Sequence, residues 1–327
     1  MNSCDIESVA NTIAYIEAHL QERLDLDRVA TDIHYSKFHL HRMFTQATGI
    51  TIHDYIRRRQ LTEAARHLVF SEKPVLEIAL SAGYGSQQAF AGIFKSMYKQ
   101  TPMEYKRNRD FYPLQLAFGL NKSPGVCLGR PGEISHGALE DIPEWMAFVR
   151  QVLDGFPGFH EEEHRESIRS SVRDGRALLM RDGEVIIGAA AFSCQAGAGS
   201  IDFLGVHPQY RHRGVAGALL DFMMEKEFAG DVREVSITTF RQGDPADTGQ
   251  RREYRELGFE EAELLTEFGY PTQRMVLQKN LGPRRTTVTG PMGTNTQGLA
   301  GKGAPGSTGR IVSDSRQKVI RKKAVGI

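Results

Sequence analysis

The chain has 327 residues, of which 40% are hydrophobic and 25% charged. This length suits about two globular domains, and the composition excludes a fully disordered or fibrous protein. No stretch approaches the ~18 apolar residues of a membrane span, the N-terminus lacks a signal peptide's apolar run, and three scattered cysteines form no disulfide framework. The sequence therefore predicts a soluble, cytoplasmic protein.

The net charge of +1 hides an uneven distribution along the chain. Residues 33–109 carry 12 Lys and Arg against 5 Asp and Glu, whereas residues 111–280 carry 18 against 26. A basic segment beside an acidic one suggests a nucleic-acid partner for the first and a different partner for the second, although a charge run is also compatible with a solvated face.

The first half carries apolar residues at helical spacing, and one pattern occurs twice, 50 residues apart. The i, i+3, i+4, i+7 stripe appears in Leu40, Met43, Phe44 and Ala47 and again in Phe90, Ile93, Phe94 and Met97. Each stripe follows a serine, Ser36 or Ser86, placed to cap a helix, and a short helical segment over 26–33 or 75–82. Two such copies predict two helix-turn-helix units with a buried stripe in each.

Polar and aromatic side chains lie between the stripe positions and are predicted to face outward. They are Phe38, His41 and Arg42 on the first helix, and Gln87 and Gln88 on the second. Arg can bind guanine bidentately in the major groove, and Gln can do the same with adenine. Arg58, in the run Arg57–Arg59 between the units, could contact phosphates, and a solvated charged face explains it equally well.

The segments YSKFHLHRMFTQATGITIHDYIRRRQLTEAARHL and VLEIALSAGYGSQQAFAGIFKSMYKQTPMEY resemble the DNA-binding domain of the AraC/XylS family, over residues 8–106. The resemblance implies that the five outward positions read double-stranded DNA in two successive major grooves. It also makes RNA polymerase a candidate partner. Gly92 stands where the family typically has a base-reading Arg, so weaker binding of the second half-site is expected.

The second half begins after a predicted linker, residues 111–133, in which Pro and Gly interrupt a few apolar residues. Helices are predicted over 141–153 and 161–172, and strands over 177–181, 184–193, 201–206, 234–240 and 273–277. Asp182-Gly183 is a typical hairpin turn. Residues 281–327 hold nine glycines among polar and basic residues, which predicts a disordered tail.

The segment LGVHPQYRHRGVAGALL places a glycine turn between a strand ending at Val206 and an apolar helix. Backbone N–H groups at a helix N-terminus attract phosphate, Gly214 permits close approach, and Arg211 and Arg213 add positive charge. The loop lacks the GxxxxGK[ST] and GxGxxG patterns of nucleotide sites. Downstream, Tyr254 precedes a Leu-Gly-Phe turn, where packing is the more frequent role of a tyrosine.

In combination, RHRGVA and Tyr254 resemble the GNAT N-acetyltransferase superfamily, over 134–279, with its α/β (α+β) fold and mixed sheet. The resemblance implies that backbone amides of the loop hold the pyrophosphate of acetyl-CoA and that the strand around Leu204–Val206 pairs with the pantetheine. The amides are those of Arg211, Arg213, Gly214 and Ala216. Tyr254 would protonate the departing thiolate. Asp202, assigned to the same strand face as Leu204, is a candidate general base, with water as the alternative.

The sequence thus predicts an all-α double helix-turn-helix domain (1–110), a linker (111–133), a GNAT domain (134–280) and a tail (281–327). The expected function is sequence-specific transcription regulation together with acetyl transfer from acetyl-CoA to an amine of unknown identity. The alternative is that the second domain senses acyl-CoA or a small ligand without catalysis. Residues 160–164 match the zinc pattern HExxH, but no third ligand is evident and no metal is expected.

Overall fold

A computed structural model of the protein describes residues 3–120, 132–153, 155, 159–195, 197–228, 230 and 232–279. The predicted tail, 281–327, lies outside the described residues. The first half is helical, as predicted, and its helices are α1 (Ser3–Ala18), α2 (Leu26–Asp32), α3 (Lys37–Thr48), α4 (Ile52–Phe70), α5 (Val75–Ser81), α6 (Gln87–Tyr98) and α7 (Pro102–Asn108). Within the described part of the chain, no helix combines the length and the apolar character that crossing a membrane requires.

Side-chain caps set the starts of the helices in both helix-turn-helix units. The Ser36 hydroxyl accepts a hydrogen bond from the backbone N–H of His39 at 3.4 Å, and the Ser86 hydroxyl accepts one from Ala89 at 3.2 Å. These bonds satisfy amide groups that have no partner inside the helix. Both predicted caps are therefore confirmed.

The apolar stripes form the core of each unit, with one exception. All four residues of the first stripe are buried, as are Phe90, Phe94 and Met97 of the second. Ile93 was expected in the core but is 37% exposed, because it lies at the border of the buried face of α6. The prediction was wrong for this residue alone.

The second half is built on a mixed sheet, as predicted. Its elements are β1 (Glu133–His136), α8 (Ile142–Val152), α9 (Glu161–Arg173), β2 (Ala177–Asp182), β3 (Val185–Gln195), β4 (Ala198–Val206), α10 (Val215–Phe222), β5 (Glu234–Phe240), α11 (Gln250–Glu256), β6 (Glu260–Glu267) and β7 (Tyr270–Gln278). The strand order is β1-β2-β3-β4-β5-β7-β6. Among the described strands, β4 and β5 are the parallel pair and the other neighbours are antiparallel.

The parallel strands β4 and β5 separate soon after they meet. Their pairing is confined to Ala198–Ser200 on β4 and Glu234–Ser236 on β5. Beyond these residues the strands diverge toward their C-terminal ends. Residues of α8 and α9 pack on one face of the sheet, and α10 and Tyr254 pack on the other. The gap between the strand ends is the start of the cleft described below.

Part of the predicted linker is packed against the helical half. Tyr112, Leu114 and Phe118 are buried. The backbone N–H groups of Leu114 and Gln115 both donate to the hydroxyl of Thr62 on α4, at 3.0 and 3.2 Å. Residues 121–131 of the segment lie outside the described residues, and the domain boundaries stay a prediction.

The two halves share a hydrophobic core. Phe240, Ala246 and Tyr270 of the second half are buried among residues of α4, α5, α6 and α7. Ala246 lies in the loop between β5 and α11, residues 241–249, which we call the bridging loop. Because burial of an aromatic side chain contributes about 1.5–3 kcal/mol, this core stabilises the contact between the halves.

Arg58 is part of this core, and its prediction as a phosphate contact is wrong. The side chain is 2% exposed and donates hydrogen bonds to the carbonyl oxygens of Ala246 at 3.0 Å and Leu114 at 3.2 Å. Arg59 is also buried and forms an ion pair with Glu17 on α1. A guanidinium this enclosed cannot reach DNA in this arrangement.

Replacing Arg58 by alanine should lower the free energy of unfolding by about 3–5 kcal/mol, because two hydrogen bonds to a charged donor are lost and two buried carbonyls lose that donor. The matched control is Arg57→Ala, whose half-exposed pair with Asp54 should be worth less than about 1 kcal/mol. Urea unfolding followed by the fluorescence of Trp145, the single tryptophan, measures both. Equal costs for the two variants would contradict the buried role of Arg58.

Candidate functional site

The N-terminal part of α3 presents the side chains predicted to read DNA. Phe38 is 80% exposed, and His41 and Arg42 are also exposed. The Arg42 guanidinium lies 3.4 Å from Nδ1 of His39, one turn earlier. Lys37 forms an ion pair with Asp27 on α2 at 3.0 Å. The helix thus offers an aromatic ring, an imidazole and a guanidinium on one solvent-facing surface.

The second candidate recognition helix, α6, presents a smaller surface. Gln87 and Gln88 are exposed in its first turn. Gly92 is exposed as well, and a Cβ built there would meet nothing within 4 Å. The position therefore has room for a side chain that this sequence does not supply.

The HExxH pattern does not form a metal site. His160 precedes α9, and its Nε2 lies 3.2 Å from a carboxylate oxygen of Asp110, whereas His164 lies in the core, where its Nε2 accepts a hydrogen bond from the Trp145 indole at 3.4 Å. Burial lowers the pKa of His164 to about 4. Across the described ranges, no group of three or more His, Cys, Asp or Glu is placed to hold a metal ion.

The gap between the ends of β4 and β5 opens into a cleft that unites most of the predicted acyl-CoA residues. The cleft is lined by Gly49, Val152, Leu204, Gly205, Val206, Arg211, His212, Ala216, Thr248, Gly249, Gln250, Arg252, Glu253 and Tyr254. These residues come from β4, the end of α8, the loop before α10 and its first turn, residues 248–249, α11 and, in Gly49, the helical half. Gly49 and Tyr254, which are 205 positions apart in sequence, thus border one space.

The loop from Arg211 to Gly214 brings backbone amides to the N-terminus of α10. Gly214 has a φ of +79°, a left-handed conformation that favours glycine, and space above it is open. The loop is anchored by Tyr210, whose hydroxyl donates to the Asp182 carboxylate at 3.0 Å. The Arg213 guanidinium lies 5.5 Å from the centre of the Tyr210 ring. The arrangement has the features of an anion site.

His207 lies between β4 and this loop and remains neutral at pH 7. Burial, with a smaller effect from the charge of Arg211, lowers the pKa of His207 to about 4. Its Nδ1 accepts a hydrogen bond from the backbone N–H of Gln209 at 3.3 Å. His207 therefore adds no positive charge to the loop, whereas Arg211 and Arg213 do.

Tyr254 is held in the cleft by the position of α11. The hydroxyl of Thr239, near the end of β5, donates to the side-chain oxygen of Gln250, the first residue of α11, at 2.9 Å. Tyr254 is only 2% exposed and packs in the core with Leu204 and Ala216. A phenol in this position is buried beside the strand end and the loop that the resemblance assigns to acyl-CoA.

Asp202, the predicted base, is not among the residues that line the cleft. Its carboxylate accepts a hydrogen bond from the Ser200 hydroxyl at 2.9 Å. The pairing of β3 with β4 skips Asp202, since Ala191 pairs with Phe203 and Phe192 with Ile201. Asp202 is thus the extra residue of a β-bulge, and the simple alternation that placed it on the face of Leu204 fails there.

Nine of the fourteen cleft residues were not predicted as site residues, and Glu253 and Gly49 are the two of these with a bearing on function. Glu253 supplies a carboxylate directly before Tyr254, and this adjacency was a signal that could have identified it. Gly49 ends α3 in a left-handed conformation, with a φ of +78°. Its role as a helix end can be read from the sequence, but its place beside the cleft cannot.

Comparison with known proteins identifies both halves. The helix-turn-helix domain family matches residues 29–108, and the acetyltransferase (GNAT) domain family matches residues 173–261. The transcriptional regulator Rob of Salmonella typhimurium is 39% identical over 137 residues, which cover 41% of this chain and 45% of that protein. The regulatory protein SoxS of Escherichia coli is 41% identical over 98 residues, which cover 30% of this chain and 92% of that protein.

The chain therefore spans less than half the length of Rob but nearly all of SoxS. Among solved structures, the ribosomal-protein-S18-alanine N-acetyltransferase of Escherichia coli is 18% identical, with a TM-score of 0.38, over 47% of this chain and 97% of that one.

Removing the exposed guanidinium of Arg42 should cost about 1–3 kcal/mol in binding to a duplex enriched from a random library, and should relax selection at one base. Arg66→Ala is the matched control, because Arg66 is an exposed arginine on α4 rather than on a recognition helix. It should leave the enriched sequence unchanged. Sequencing the duplexes retained by each variant provides the measurement, and unchanged selection by Arg42→Ala would refute the assignment.

Proposed function

We propose that this chain, which belongs to the AraC-type helix-turn-helix family of transcription regulators and carries a GNAT acetyltransferase domain, binds specific DNA and transfers an acetyl group from acetyl-CoA to an amine. The observation that carries the second activity is the cleft. It unites Leu204, Val206, Arg211, Ala216 and Tyr254, five residues proposed from two separate motifs.

In the helical half, α3 and α6 each enter a major groove. Phe38, His41 and Arg42 read one half-site, and Gln87 and Gln88 read the other. All five side chains are exposed. Because Gly92 has no side chain for base contact, the α6 half-site contributes less selectivity than the α3 half-site.

In the second half, acetyl-CoA is the acyl-donor substrate. Backbone amides of Arg213, Gly214 and Ala216 bind its pyrophosphate, and the left-handed Gly214 leaves that approach open. The Arg211 amide, which the resemblance also implied, instead donates to the carbonyl oxygen of Pro208 at 3.4 Å. The pantetheine lies along the end of β4 at Leu204 and Val206. This edge is available because β5 has already diverged from β4.

The reaction begins with attack of the neutral amine on the thioester carbonyl. A C–N bond forms, the C–S bond breaks, and the thiolate of coenzyme A takes a proton from the Tyr254 hydroxyl. The attacking amine nitrogen loses one proton to a base, and the Tyr254 phenolate takes a proton from solvent. The products are an amide and coenzyme A.

Glu253 is the carboxylate that takes the amine proton, directly or through water. It lines the cleft beside Tyr254, whereas Asp202, on the bulge of β4, does not line it. A base must be within hydrogen-bonding reach of the proton that it removes, and position therefore favours Glu253 over Asp202.

Tyr254→Phe removes only the proton donor, so turnover should fall by about 10²–10⁴-fold while acetyl-CoA affinity is retained. Gly214→Glu should instead abolish acetyl-CoA binding, because a carboxylate would repel the pyrophosphate from the loop.

Thiol release with a panel of amines measures turnover, and calorimetry with acetyl-CoA measures binding, so the two experiments separate the effects of the two variants. Full turnover by Tyr254→Phe would remove this residue from the mechanism. Acetyl-CoA binding without turnover by the parent protein, with any amine, would favour the sensor alternative.

Glu253→Gln should lower kcat/KM for the amine by about 10²-fold or more, and raising the pH should recover part of the loss as free amine becomes abundant. Asp202→Asn, also a one-atom change from carboxylate to amide, should change kcat/KM by less than about 3-fold. The opposite order of effects would return the base to Asp202.

A further inference from the structure

The second half contacts the C-terminal end of α3 through the proposed acyl-CoA loop. The Arg211 guanidinium donates a hydrogen bond to the carbonyl oxygen of Thr48, the last residue of α3, at 3.3 Å. The last carbonyls of a helix lack partners within it and carry its negative dipole end, so a cation there is stabilising. A Cβ at Gly49, the next residue, would lie 2.7 Å from Cδ of Arg211. The contact is therefore close-packed.

A second set of contacts lies at the C-terminal end of α6. The Tyr270 hydroxyl is 3.3 Å from the carbonyl oxygen of Met97 and 3.0 Å from the carboxylate of Asp244. Asp244, on the bridging loop, forms an ion pair at 2.9 Å with Lys99, the residue that ends α6. Its side chain is only 4% exposed, so the pair is shielded from solvent. We call the contacts at the ends of α3 and α6 together the clamp.

The α3 side of the clamp and the acyl-CoA site draw on the same residue. Arg211 reaches Thr48, and both Arg211 and Gly49 border the cleft. A pyrophosphate at the loop offers the guanidinium a doubly charged partner that competes with the neutral carbonyl of Thr48. The α3–α4 turn occupies space next to that loop. Acetyl-CoA binding and the contact of Arg211 with α3 therefore compete.

We propose that acetyl-CoA is an effector of DNA binding: by drawing Arg211 away from α3, it opens the clamp and lowers affinity for DNA. This inference rests on the proposed binding of acetyl-CoA at the cleft. It goes beyond that proposal, because acetyl-CoA bound by the second half would regulate DNA binding by the helical half.

We infer that acetyl-CoA lowers DNA affinity, rather than raising it, from the surfaces that stay exposed while the clamp contacts are made. All five proposed reading side chains face solvent while the clamp holds the opposite ends of α3 and α6. Two helices that enter successive grooves need a fixed separation, and the closed clamp fixes it before DNA arrives. When the clamp is open, α3 and α6 must be brought to that separation as DNA binds, and the loss of conformational freedom lowers the affinity for DNA. By linkage, DNA must weaken acetyl-CoA binding by the same factor.

The test measures binding of a labelled duplex, enriched from a random library by the ligand-free protein, with and without saturating acetyl-CoA. Saturation is established by calorimetry. We expect acetyl-CoA to raise the DNA Kd by about 5–150-fold, and the duplex to raise the acetyl-CoA Kd by an equal factor. Gly214→Glu is the control for direct competition between two polyanions, since its DNA affinity should not respond to acetyl-CoA.

Two variants test the two ends of the clamp. Arg211→Gln removes the guanidinium and is too short to reach Thr48, so its ligand-free DNA affinity should equal that of the acetyl-CoA-bound parent. Lys99→Gln should reduce the effect of acetyl-CoA on DNA affinity. Lys95→Gln removes an equal charge from an exposed position of α6 and should preserve that effect. Circular dichroism checks that each variant is folded.

The outcomes separate this inference from the proposed function. If the parent binds acetyl-CoA and its DNA affinity stays the same or rises, the inference is overturned and the proposed acetyl transfer stands. If calorimetry detects no acetyl-CoA binding, the proposed function fails. An effect that persists in Gly214→Glu, or is equal in the Lys99 and Lys95 variants, would also overturn the clamp.

Discussion

A buried guanidinium connects the two halves of this protein. A charge removed from water must be satisfied by hydrogen bonds, and Arg58 obtains them from the packed segment after α7 and from the bridging loop, at Leu114 and Ala246. Separating the halves would expose Phe240 and Tyr270 and remove an acceptor of this cation. The position of the cleft relative to α3 and α6 therefore depends on an interaction at the middle of α4.

The local structure could be predicted because each signal depends on residues within one or two turns. Ser36 and Ser86 cap the helices that follow them, and the hairpin turns at Asp182-Gly183. The environments of the three arginines in the run Arg57–Arg59 could not be predicted from local signals. Consecutive helical residues point about 100° apart, so three adjacent arginines face three environments. The two carbonyl oxygens that accept hydrogen bonds from Arg58 belong to Leu114, 56 positions further along the chain, and Ala246, 188 positions further along. No local sequence pattern contains them.

The candidate site likewise combines residues that local sequence patterns predict with residues that only long-range packing brings there. The glycine loop and Tyr254 carry recognisable patterns, and the fold brings them to one cleft. Asp202 was misplaced because a single extra residue in β4 reverses the alternation of side chains. Ile201 and Leu204, three positions apart, consequently share one core cluster. Gly49 belongs to the site only through the packing of the two halves, which sequence periodicity does not describe.

The bridging loop contacts both the helical half and the helix that carries Tyr254. At one end it continues into α11, whose first residue, Gln250, is held by Thr239 and whose second turn carries Tyr254. Earlier in the loop, Ala246 is buried in the helical half and Asp244 pairs with Lys99 at the end of α6. A shift of this loop would therefore move the proposed proton donor and a recognition helix together. Because packed interiors resist continuous deformation, we expect a displacement of the bridging loop to move both α11 and the end of α6.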